Sequence, residues 1–69
     1  MNKLVQILHW TRGAEYGRQR LGQALMNSLF NVDADLYFLI DGTDADCFYQ
    51  DEKVPAFLAA VTKHIEGEN

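Results

Sequence analysis

Residues 36–49, LYFLIDGTDADCFY, carry the reading on which the expected fold turns. An apolar and aromatic run, Leu36 to Ile40, is followed by a turn-prone acidic loop around Asp41-Gly42, and Cys47, Phe48 and Tyr49 close the stretch. Two short β-prone arms about a turn predict a β-hairpin with a loop of four or five residues. In such a strand Leu36, Phe38 and Ile40 share one face and Tyr37 and Leu39 the other, because side chains alternate. Both faces are then apolar, so the strand is central or its second face is covered by a partner.

Working outward, an isolated hairpin is marginal in water and needs a third strand or a packed helix. Residues 3–9 fit either a helical stripe (Leu4, Ile7, Leu8) or a strand, and the need for a third strand favours the latter. A helix is expected next, capped by Thr11 or starting as late as Ala14 and running to about Phe30, with Ala14, Leu21, Leu25 and Leu29 inward. Gly13, Gly17 and Gly22 each cost about 1 kcal/mol against alanine in a helix interior. Gly13 is therefore assigned to the loop before the helix, and one of the other two to a close approach of helix and sheet. Asn31 to Asp35 form the turn into the hairpin. Downstream, Val54, Phe57, Leu58, Val61 and Ile65 trace an amphipathic helix, with Pro55 at its first position and Gly67 at its end. Residues 66–69 read as a frayed tail.

The expected class is thus α/β (α+β). It is a single two-layer domain of order β-α-β-β-α, a three-stranded mixed sheet with two helices on one face. The open face, with Tyr37, Leu39, Phe48 and Tyr49, is the expected protein interface, and a homodimer through it the expected assembly. Size argues the same way. A chain of 69 residues with one cysteine has no internal disulfide to support it, and a core this small supplies roughly 3–5 kcal/mol.

Charge is divided unevenly. Residues 1–30 carry Lys3, Arg12, Arg18 and Arg20 against Glu15, a net of +3, whereas residues 31–69 carry −7, giving −4 in all. The acidic half places Asp33, Asp35, Asp41, Asp44 and Asp46 about the hairpin, a surface suited to a protein partner with a basic face. Such a protein could occlude the basic site of a nucleic-acid-binding protein. The basic half offers a second reading, a small nucleic-acid-associated protein in which Arg12, Arg18 and Arg20 hold phosphates and Trp10 stacks on a base. That reading ranks lower. Arg18 and Arg20 diverge by about 200° on a helix, and the chain as a whole is acidic.

Catalytic and metal chemistry find little support. The aspartates miss the calcium-loop register, since Tyr37 stands where the first ligand belongs if Gly42 is the sixth position. Cys47 in an aromatic stretch reads as a small buried residue, His64 as a charge at a helix end, and His9 as a residue beside Trp10 at an element boundary. Neither a cofactor nor an enzymatic activity is expected. No purely apolar run approaches the length of a bilayer span, and a cytoplasmic location is expected. The function the sequence favours is a small, self-associating interaction or regulatory protein.

Overall fold

The computed structural model describes residues 2–16 and 19–67, with residues 14–16 defined by their backbone alone. Within them the fold is helical: α1 (Lys3–Tyr16), α2 (Leu21–Val32), α3 (Ala34–Ile40) and α4 (Val54–Gly67), the last preceded by a 3₁₀ turn at Asp51–Lys53. Among the described residues there is no strand. The expected α/β class, its three-stranded sheet and the dimer through that sheet are therefore corrected.

The first correction is at the N-terminus. Asn2 Oδ1 accepts the Val5 N–H at 2.9 Å, satisfying one of the donors that a helix start leaves open. A strand would put Val5 and Ile7 on one face, yet Val5 is 46% exposed and Ile7 fully buried. Leu4, Ile7 and Thr11 instead line the inner side of α1, at the i, i+3, i+7 spacing of one helical face. Thr11 is thus an interior residue, not a cap. Its hydroxyl and that of Ser28 on α2 lie 3.0 Å apart, each 2.7 Å from a carbonyl oxygen of its own helix, Ile7 O and Ala24 O. Two protons serve three contacts, and the pair joins α1 to α2 inside the core.

The long helix expected over residues 11–30 is also corrected. Gly13 lies within α1, and a new helix begins at Leu21 after Arg20, whose backbone is extended at φ −65° and ψ 156°. Gly17 lies outside the described residues.

The third correction concerns the hairpin. Leu36 and Ile40, four apart, are 3% and 5% exposed while Phe38 between them is 65% exposed, a helical pattern that alternation cannot produce. Asp33 makes the helix start here. Its Oδ1 accepts the Leu36 N–H at 3.1 Å and its Oδ2 meets Lys3 Nζ of α1 at 2.8 Å. The Asp41-Gly42 turn forms as the composition predicts, but it ends a helix. Asp41 at φ −54°, ψ 127° and Gly42 at φ 78°, with the Thr43 N–H on Ile40 O at 3.0 Å, make a type II turn that needs glycine at its third position.

The C-terminal helix follows its stripe. Phe57 and Val61 are fully buried, and Val54, Leu58 and Ile65 pack against them. The helix continues through Glu66 to Gly67, so the tail expected to fray from residue 66 is helical that far, and residues 68–69 lie outside the described part. The core draws on all four α-helices and the loop: Ile7 from α1, Leu25, Met26 and Leu29 from α2, Leu36 and Ile40 from α3, Cys47 from the loop, and Phe57 and Val61 from α4.

Candidate functional site

The loop from Asp41 to Gln50 is held on the first turn of α2. Gly22 is where they meet: a Cβ there would collide with the Cys47 carbonyl. The Gly22 N–H donates to Asp51 Oδ1 at 2.8 Å, and the Cys47 thiol donates to Gly22 O at 3.4 Å. Arg20 adds a fork, donating to Phe48 O at 2.8 Å and Tyr49 O at 2.9 Å. Its guanidinium is thereby committed to the loop rather than offered to a phosphate. Cys47 is buried, and burial pushes its thiol up to about 11. A thiol held protonated in this way is a poor nucleophile.

The acidic residues divide into two groups. Asp33 and Asp46 are structural. The Lys3 ammonium holds the Asp33 carboxyl below its ordinary range. At Asp46 burial pushes upward but is outweighed by the Gly42 N–H on Oδ2 (2.9 Å) and the Phe48 N–H on Oδ1 (3.0 Å), so this carboxyl also titrates low. Asp35, Asp41 and Asp44 are exposed.

Beside them lies an aromatic face. Phe30 from α2 meets Tyr37 and Phe38 of α3 edge to face, with centroids 5.2 and 6.1 Å away, and Tyr37 and Phe38 are 5.3 Å apart. Phe30 and Phe38 remain 48% and 65% exposed, and Leu39 66%. Asp35 shares their side of α3, being three and four positions before Phe38 and Leu39. At the other end, burial and then the charges of Asp41 and Asp46 push the Tyr37 phenol upward, so the carboxylates bear on this cluster.

Of the four residues expected at an interface, Tyr37 is half-buried within this cluster and Leu39 is exposed at its edge. Phe48 and Tyr49 meet edge to face in the loop with centroids 4.7 Å apart, Phe48 half-buried and Tyr49 exposed. Phe30 was not among them, because the sequence marks it as the approximate end of a helix. The expected phosphate-binding group is not assembled: Arg20 is engaged with the loop, Arg12 is exposed on α1, and Arg18 lies outside the described residues.

Trp10 has a different setting. It lines a cleft of about 470 Å³ between α1 and α2, together with His9, Gly13, Gln19, Asn27 and Asn31, and Ser28 at its floor. Asn27 Nδ2 donates to Gln19 Oε1 and Asn31 Nδ2 to Asn27 O, both at 3.1 Å. The sequence pairs His9 with Trp10, but the carboxamides come from another segment, and helical periodicity places Gln19 and Asn27 only as solvent-facing.

Among the described residues no group of three or more histidine, cysteine or acidic side chains is placed to hold a metal, and no helix is long and apolar enough to cross a membrane. No family model, curated protein or solved structure matches the chain.

Proposed function

We propose that this chain is a small non-enzymatic interaction protein that presents the aromatic face of α2 and α3 to a protein partner with a basic, partly apolar surface. The observation that carries the reading is the exposure of Phe38 and Leu39 on a short helix with Asp35 on the same side. An apolar patch with a charged rim is the anatomy of a protein contact. On the α4 side of Leu39 the rim carries Lys63 and His64, and it is its other side, with Asp35 and Asp41, that points to the partner. A twofold dimer through this face would bring Asp35 and Asp41 of both copies into one interface, and like charges across an interface are unfavourable. A basic partner turns the same carboxylates into attraction. The nucleic-acid-binding surface of another protein has that chemistry, and covering it would make this chain an inhibitor.

The test is site-specific photocrosslinking from a benzophenone amino acid at Phe38 in the source cells. One predominant protein adduct with a basic surface, lost in Leu39→Asp, is expected. Adducts with a second copy of the chain, with an acidic protein, or with none above background would overturn the reading.

A further inference from the structure

Gly13 poses a question that the fold leaves unanswered. It sits inside α1 with ordinary helical backbone, where alanine would be favoured, and a Cβ there would meet nothing within 4 Å. No packing contact calls for glycine. What lies over it is the cleft, and the missing side chain leaves open the wall one turn beyond His9 and Trp10.

The chemistry of the lining narrows the occupant. There is no carboxylate, lysine or arginine among the described lining residues. An indole that is 55% exposed offers a stacking surface. The Asn27–Gln19 contact uses Asn27 Nδ2 and Gln19 Oε1, so Asn27 Oδ1 and Gln19 Nε2, an acceptor and a donor, have no partner among the described residues. A planar, uncharged ring with a donor and an acceptor on adjacent edge atoms matches both features. Nucleobases have that form, and carboxamide side chains commonly read the adenine edge. At about 470 Å³ the cleft is within the range of small-molecule sites, roughly 300–1,000 Å³. We propose that the cleft between α1 and α2 binds a nucleobase, stacked on Trp10 over Gly13 and held at its edge by Asn27 and Gln19. This site is separate from the α2–α3 face and does not rest on the function proposed for it.

The base could belong to a free nucleoside or to a single strand, and one titration distinguishes them. Trp10 is the single tryptophan of the chain, so its fluorescence reports the site directly. The full chain is titrated with adenosine, with an oligodeoxyadenylate of about ten nucleotides, and with glucose. Saturable quenching by adenosine or the oligonucleotide, and none by glucose, is expected. Equal affinity per base assigns the site to a nucleoside, whereas tighter, salt-sensitive binding of the strand assigns it to single-stranded nucleic acid. Gly13→Leu fills the cleft while improving helix propensity, so it should retain its helical circular dichroism and lose about tenfold or more in affinity. No saturable quenching by either base-containing probe, equal quenching by glucose, or wild-type affinity in a folded Gly13→Leu would overturn the proposal.

Discussion

Replacing Gly22 by alanine puts a methyl group where the Cys47 carbonyl already stands, with Asp51 Oδ1 only 2.9 Å from the new carbon. The carbonyl belongs to backbone that Arg20 holds through Phe48 and Tyr49, so it cannot turn aside as a flexible side chain would. The loop must lift. Helix propensity favours the substitution by about 1 kcal/mol. Against it stand about 1–3 kcal/mol for forcing a methyl into a packed contact and about 1.5–3 kcal/mol for the Gly22 N–H bond to the Asp51 carboxylate. The balance is a loss of roughly 1.5–5 kcal/mol, comparable at its upper end with the whole stability of a domain this small. At about 4–8 °C per kcal/mol, the midpoint should fall by about 6 °C or more. Gly13→Ala is the control: it gains the same propensity and meets nothing, so it should be stabilised by about 0.5–1 kcal/mol. Thermal and urea unfolding followed by circular dichroism measure both. If Gly22→Ala proved as stable as Gly13→Ala, the loop would not be seated on α2 as described.

Other outcomes follow from the same geometry. Asp33→Asn keeps a capping oxygen but loses the ion pair with Lys3, and should cost up to about 1 kcal/mol at pH 7. Because the folded Asp33 carboxyl titrates below its unfolded value, this contribution is full above the ordinary aspartate pKa and is lost as pH falls through the lower folded value. The stability gap between wild type and Asp33→Asn should therefore close under strong acid, and a gap independent of pH would refute the assignment. For Cys47 the sign is reversed: a folded pKa of about 11, raised from 9.0, favours the folded state fully below the unfolded value, and that advantage is lost as pH rises through the folded one. Its thiol should react with a disulfide reagent slowly in the native protein at neutral pH and rapidly in urea; fast native labelling would show the loop to be open. Leu39→Asp, two-thirds exposed at the wild-type side chain, should leave stability within about 0.5 kcal/mol, so that loss of a crosslinked partner reports contact rather than unfolding.

The sequence by itself determined the elements whose local signals agree. In α4 the apolar spacing, Pro55 in the first turn and a length of 14 residues all specify a helix, and Phe57 and Val61 fall in the core as their period requires. Asp41-Gly42 was legible as a turn because only glycine adopts φ 78° without strain, and Cys47 as a buried thiol because a lone cysteine among aromatics behaves as a small apolar side chain. Of the candidate site, Trp10 beside His9, the exposed Leu39 and the acidic loop could be seen in the chain. Their neighbours Phe30, Gln19, Asn27 and Asn31 could not, since each comes from a segment whose relation to the others is tertiary.

Tertiary structure alone decided between helix and strand at residues 3–9 and 34–40. Both runs are rich in β-branched or aromatic side chains, which favour strands weakly, and seven residues are too few to be helical in isolation. What tips α3 is the Asp33 cap tied to Lys3 of α1, with Leu36 and Ile40 fitting the core four residues apart. The cap is local to the chain, but the ion pair and the core contacts exist only once the other helices are in place. Propensity differences of a few tenths of a kcal/mol per residue cannot outweigh an ion pair and two buried side chains supplied from outside the segment.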